Sequence, residues 1–170
     1  MLYGTIVETA DRIVKKCGTR DPYRIAKELG IRIKMVDNFT TLKGCYQVIL
    51  RNRWIFLNSN LKSGMRRIVC AHEIGHDMLH RHVVTGNGPM MEFELYNMKN
   101  RYEYEANIFA SELLLDTDEI LDYIYNYEYD VQQIASIMNS DVNLVALKIS
   151  TLTKDGYQLR IPDHRNNFLK

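Results

Sequence analysis

The sequence has few cysteines and little net charge, which argues against several classes of protein. Its 170 residues contain three cysteines, Cys17, Cys45 and Cys70, which lie far apart and form no CxxC pair. An odd number of scattered cysteines favours a reducing compartment over a disulfide framework. The net charge is +1, from 22 basic and 21 acidic residues. No field that would attract nucleic acid or an anionic membrane is therefore evident.

Long apolar runs are missing as well. No stretch approaches the roughly 20 apolar residues of a transmembrane helix, and the N-terminus lacks the apolar region of a signal peptide. A hydrophobic share of 46% in 170 residues instead predicts one domain with a substantial core. We therefore expect a cytoplasmic protein.

Residues 68–82, with the sequence IVCAHEIGHDMLHRH, contain an HExxH array from His72 to His76. On an α-helix these two histidines lie one turn apart on one face, so both rings can bind a single tetrahedral metal ion, usually Zn²⁺. Glu73 is rotated by about 100° from His72 and stands beside the metal. A carboxylate in that place can take a proton from a metal-bound water. The array predicts a catalytic site with one Zn²⁺ per chain.

Two further histidines follow the array. His82 has the spacing of the third ligand in HExxHxxGxxH proteases, but Leu79 stands where those proteases need a glycine to end the helix. We therefore expect His82 to lie on the surface. His80, one turn beyond His76, is expected on the surface too, with an indirect contact to a metal ligand as the alternative.

An acidic residue is the better prediction for the third ligand. The segment 101–115, RYEYEANIFASELLL, has apolar residues at helical spacing, and Glu105 directly precedes them. A carboxylate from a second helix completes the zinc site in His₂Glu enzymes, so we expect Glu105 to bind the metal. Glu103 and Glu112 remain alternatives, because helical rotation lets at most one of the three carboxylates face the ion.

These segments resemble the ImmA/IrrE family of metallopeptidases. The resemblance is carried by AHEIGHDMLH at 71–80 and by EANIFASELLL at 105–115, and it is strong over residues 43–115. Family members often end the second motif in LL-x-P, whereas Asp116 follows Leu115 here. That departure lies at a helix end and concerns no ligand.

The resemblance implies a ligand set and an activity. In the family, the two HExxH histidines and the glutamate that opens EAN bind zinc, and the HExxH glutamate is the catalytic base. Carried over, the ligands are His72, His76 and Glu105, and the base is Glu73. Known members usually cut a helix-turn-helix repressor. The implied function is a zinc-dependent intracellular endopeptidase that cleaves a helix-turn-helix (Xre-like) repressor of a mobile element or stress response.

The fold expected from these patterns is of the α+β class. Residues 44–50 and 53–57 have strand character and a tight turn between them, which predicts a small antiparallel sheet packed on the HExxH helix. A strand just before that helix could offer its edge to an extended peptide. We expect residues 1–115 to form a zincin-like metallopeptidase core. Residues 116–170 are expected to form a helical extension that packs on the core as one compact unit.

Other residues have less certain roles from the sequence. His164, Tyr102 and Tyr157 are candidates for a donor that stabilises the oxyanion of the reaction. Asn107 is a candidate for orienting a metal-binding histidine. The irregular segment 83–100 lies between the two motifs and is expected to border the cleft as a flap.

Two rival functions remain open. One is a regulator that keeps the metal and binds a repressor without cutting it, although such a protein has no use for Glu73. The other is a DNA-binding regulator, because residues 130–152 resemble a helix-turn-helix. Lys148 is the only cation in the would-be recognition helix, residues 141–152. Since a DNA reader needs several cations for phosphates, we expect this helix to pack on the core or to bind a protein.

Overall fold

The computed structural model describes residues 3–83, 90–92 and 101–159. The strands of the described part lie between two N-terminal helices and a helical second half. The elements are α1 (Tyr3–Cys17), α2 (Pro22–Glu28), β1 (Arg32–Val36), β2 (Gly44–Ile49), β3 (Asn52–Asn58), α3 (Ser63–Leu79), β4 (Met90–Glu92), α4 (Arg101–Leu114), α5 (Thr117–Tyr125), α6 (Val131–Ile137) and α7 (Val142–Lys154). Over the described ranges, no helix has both the length and the apolar character needed to cross a membrane.

Several helices begin at an aspartate, as their sequences favour. The carboxylate of this residue accepts a hydrogen bond from a backbone N–H in the first turn, which otherwise has no partner within the helix. The aspartates in this position are Asp21, Asp116, Asp130 and Asp141. Pro22 follows Asp21 as the first residue of α2, where its missing N–H costs nothing. These caps are local interactions, because each joins residues within three positions of one another.

The sheet confirms the α+β class but is mixed rather than wholly antiparallel. Its strand order is β1-β3-β2-β4. The hairpin of β2 and β3 is antiparallel, and β4 is antiparallel to β2, but β1 runs parallel to β3. Because β2 occupies one side of β3, β1 takes the other side. The strand before the HExxH helix is therefore internal, and the predicted free edge at β3 was wrong.

Helix α3 lies at the centre of the fold, between the sheet and α4. The approach to α4 is close at Gly75, where an added Cβ would lie 3.2 Å from both the Cα and the carbonyl oxygen of Ala106. A larger residue at this position would separate the two helices. The crossing at Gly75 therefore brings the HExxH array against the N-terminal half of α4.

The C-terminal helix α7 packs against α4 through apolar residues and one buried ion pair. Nζ of Lys148 donates to Oε2 of Glu112, and both side chains are almost wholly buried. The hydroxyl of Tyr3 donates to the other oxygen of Glu112 at 3.2 Å. The single cation of the would-be recognition helix is thus enclosed by protein, where it cannot contact a phosphate of DNA.

Replacement of Lys148 by methionine is expected to destabilise the protein. The change leaves the Glu112 carboxylate buried without its cation, and loss of one partner of a buried pair costs about 3–5 kcal/mol. Urea unfolding followed by circular dichroism measures this loss. The double variant Lys148→Met/Glu112→Gln removes both charges and should recover a large part of it. A Lys148→Met variant with the same free energy of unfolding as the wild type would contradict the prediction.

Candidate metal centre

Helices α3 and α4 bring two histidines and one glutamate together. The Nε2 atoms of His72 and His76 are 3.0 Å apart. Oε2 of Glu103 lies 3.1 Å from Nε2 of His72 and 3.5 Å from Nε2 of His76. Among the described residues, these three side chains form the one group with the spacing of metal ligands. We call it the His-His-Glu cluster.

The dimensions of the His-His-Glu cluster suit a zinc ion. Adjacent corners of a tetrahedral site are about 3.3 Å apart, because Zn–N and Zn–O bonds are about 2.0–2.1 Å long. The three separations within the cluster, 3.0, 3.1 and 3.5 Å, lie around this value. Burial lowers the pKa of His76 to about 4, so its ring is neutral at pH 7. A neutral imidazole is the form that binds a metal.

Of the three glutamates, the structure places Glu103 and not Glu105 beside the two histidine rings. Oε2 of Glu105 accepts a hydrogen bond from Nε2–H of His80 at 3.0 Å, and Oε1 accepts one from Nε of Arg101 at 2.9 Å. Residues two apart on a helix differ by about 200°, so Glu103 and Glu105 cannot both face the same two rings. The register of α4 on α3 gives that position to Glu103. The third alternative, Glu112, lies about two turns further along α4 and is paired with Lys148 of α7.

Asn107 holds the ring of His72 from the side opposite to Glu103. Nδ1–H of His72 donates to Oδ1 of Asn107 at 2.9 Å, which leaves the lone pair of the neutral ring on Nε2, inside the cluster. Glu103 and Asn107 are four residues apart and therefore share one face of α4. This spacing is visible in the sequence, but only the packing of α4 on α3 shows that Asn107 meets His72.

Glu73 is buried where α3 meets the first residue of β2. A Cβ built on Gly44 would lie 2.8 Å from Oε1 of Glu73 and 2.5 Å from Cγ1 of Val69. Both distances are shorter than real contacts of a Cβ, so a glycine is needed here for the glutamate to keep its position. Gly44 is therefore part of the site, and the sequence patterns did not point to it.

The two remaining histidines of the motif lie in different environments. His82 is exposed, as expected from the sequence. His80 is buried, contrary to the surface position expected for it, and its Nδ1 lies 3.1 Å from Nδ1 of His76. Burial also lowers the pKa of His80, although the hydrogen bond to Glu105 opposes this shift. Its contact with His76 is the one that the alternative expectation requires if His76 binds a metal.

The candidates for an oxyanion donor are spread over different regions. The ring of Tyr102 lies edge-on to that of His80, with the ring centres 4.9 Å apart. Tyr157 follows α7 and is exposed. His164 lies outside the described residues. The expected flap at 83–100 also lies largely outside them, and its described part, β4, extends the sheet beside β2.

The chain is similar to known proteins over most of its length. The chain matches the family described as the IrrE N-terminal-like domain over residues 26–150. It is 34% identical over 146 residues to "Uncharacterized immunity region protein 2" of Bacillus phage phi105, which covers 86% of this chain and 90% of that protein. It is 33% identical over 116 residues to metallopeptidase ImmA of Bacillus subtilis (strain 168), which covers 65% of this chain and 62% of that protein.

The matched range contains the HExxH helix and all of α4. It spans well over half of the chain and includes every residue of the His-His-Glu cluster. The chain therefore belongs to the ImmA/IrrE family of metallopeptidases.

Proposed function

We propose that this protein is a zinc-dependent endopeptidase of the cytoplasm that cleaves a helix-turn-helix repressor at a specific site. The observation that carries the proposal is the His-His-Glu cluster, with Glu73 next to one of its histidines on α3. The names of the two relatives, an immunity region protein of a phage and metallopeptidase ImmA, support a repressor of a mobile element as the substrate.

The residues of the cluster would hold the ion in defined roles. His72 and His76 provide neutral imidazole nitrogens, and Glu103 provides a carboxylate oxygen, the donor set of His₂Glu zinc peptidases. When bound, zinc supplies Lewis-acid chemistry: it lowers the pKa of water to about 7 and polarises the peptide carbonyl. The hydrogen bond from His72 to Asn107 keeps the first ring in the tautomer that this role requires.

Glu73 would act as the general base and then as the general acid. Its carboxylate takes a proton from the attacking water and passes it to the nitrogen of the departing amine. One step along α3 from His72, it stands beside the ligands rather than among them. Its position between α3 and β2, set by Gly44, holds the carboxylate in place before the substrate arrives. A base fixed in this way needs no rearrangement during the reaction.

Replacement of Gly44 by alanine is expected to reduce cleavage more than it reduces zinc binding. The new methyl group would meet Oε1 of Glu73, and also Val69, at distances that force a displacement. A misplaced base costs on the order of 100-fold in rate. Cleavage rate and zinc content are measured on the same preparation, with Gly64→Ala as the control because a Cβ there meets nothing within 4 Å. Unchanged cleavage by Gly44→Ala would contradict this role.

The proposed function is tested with the purified protein and the repressor encoded nearest its own gene. We expect about one zinc per chain by elemental analysis. Incubation should convert the repressor into two fragments whose masses add up to the intact protein plus one water. A stable complex with an intact repressor would instead favour the non-cleaving regulator. Absence of both cleavage and binding would reject this substrate class.

A further inference from the structure

Behind the His-His-Glu cluster, a chain of hydrogen bonds leads from His76 to a buried carboxylate. Nδ1 of His76 lies 3.1 Å from Nδ1 of His80, and Nε2 of His80 lies 3.0 Å from Oε2 of Glu105. Nε of Arg101 donates to the other oxygen of Glu105 at 2.9 Å. His76, His80 and Glu105 are buried, so the contacts between them are shielded from solvent.

The donors and acceptors of this chain fit together in one direction. A carboxylate accepts hydrogen bonds, so Nε2 of His80 carries the proton that is donated to Glu105. The neutral ring of His80 then has its lone pair on Nδ1 and accepts the Nδ1–H of His76. The neutral ring of His76 in turn has its lone pair on Nε2, the atom that belongs to the cluster. The opposite tautomer of His76 would place a proton where the metal should bind.

The geometry points to Glu105 and His80 as positioning residues that set the tautomer of His76 for metal binding. This inference rests on the proposed zinc function and assigns Glu105 a place behind the ligands. Asn107 does the same for His72 through a separate hydrogen bond. Both rings therefore direct lone pairs into the cluster, beside the carboxylate of Glu103. Three electron-rich atoms within 3.5 Å of one another are stabilised when a cation lies among them.

Nuclear magnetic resonance of the ¹⁵N-labelled full chain tests the tautomers without any substitution. In the zinc-loaded protein we expect the ring of His76 to be protonated at Nδ1 and that of His80 at Nε2. A proton on Nδ1 of His80, or none on Nδ1 of His76, would overturn the inference. The measurement needs no peptide substrate, so its result is independent of whether the repressor is cleaved. A wild-type protein that binds no zinc would reject the proposed function, while the metal-free spectrum still tests the tautomers.

Zinc affinity, measured by competition with a chelator, tests the same chain through variants. Loss of a residue that orients a metal-binding histidine weakens binding by about 10- to 100-fold. We expect a loss in this range for His80→Phe, and less than a twofold change for His82→Phe, the exposed control. Glu105→Leu should bind zinc about tenfold more weakly than the wild type. Glu105→Gln should retain most of the affinity because its amide oxygen still accepts the proton of His80.

Two results would contradict the inference from these variants. One is wild-type affinity in His80→Phe. The other is equal affinity in Glu105→Leu and Glu105→Gln, since a residue that only fills space would not distinguish an acceptor from an apolar group. Circular dichroism identifies a variant that fails to fold. In that case the nuclear magnetic resonance spectrum of the wild-type protein decides whether the inference holds.

Discussion

Glu73→Gln is expected to abolish cleavage of the repressor and to leave zinc bound. A glutamine has nearly the shape of glutamate, so it fits the space between α3 and Gly44. It cannot accept the proton of the attacking water, and a general base contributes about 10²–10⁴-fold to the rate. Since Glu73 is not in the His-His-Glu cluster, zinc content should stay at the wild-type level. Single-turnover cleavage and elemental analysis measure the two quantities.

This variant separates an enzyme from a regulator that only binds. If cleavage is the function, Glu73→Gln should hold the intact repressor in a complex and lose its effect on repression. If binding alone is the function, the variant should relieve repression as the wild type does, and that outcome would contradict the proposal. Glu119→Gln, an exposed glutamate near the start of α5, is the matched control and should cleave at the wild-type rate.

Much of the site's first helix could be predicted because its geometry is local. The rise and rotation of an α-helix place His72 and His76 on one face whatever surrounds them. The same holds for the four helices that begin at an aspartate, because the carboxylate and the N–H groups it binds lie within three residues. The α+β class follows from equally local periodicities. These predictions needed no knowledge of how the elements pack.

Which glutamate lies beside the two histidine rings depended on packing and could not be predicted from periodicity. Apolar residues on α4 fix which side is buried, but several glutamates lie near that side. The rotation of α4 against α3 is set by the close contact of Gly75 with Ala106, which joins residues 31 positions apart. The burial of His80 has the same origin, since Glu105 on α4 covers it. The parallel pairing of β1 with β3 is likewise a long-range choice.

Glu103→Gln is expected to weaken zinc binding by more than about 100-fold. The substitution replaces the charged ligand, a carboxylate, by an amide that coordinates zinc weakly. The matched comparison is Glu105→Gln, which carries the same chemical change two residues away on α4. If Glu103 is the ligand, the first variant should lose the metal during dialysis, and the second should retain it. Competition with a chelator gives both dissociation constants under the same conditions.

The comparison decides between the two glutamates whichever way it falls. A large loss in Glu105→Gln with near wild-type affinity in Glu103→Gln would restore Glu105 as the ligand and contradict the register of α4 described above. Equal losses would show that both carboxylates hold the ion, which their separation of about 200° on the helix argues against. The expected order follows from the geometry of the site: Oε2 of Glu103 lies within 3.5 Å of both Nε2 atoms, while the carboxylate of Glu105 accepts hydrogen bonds from His80 and Arg101.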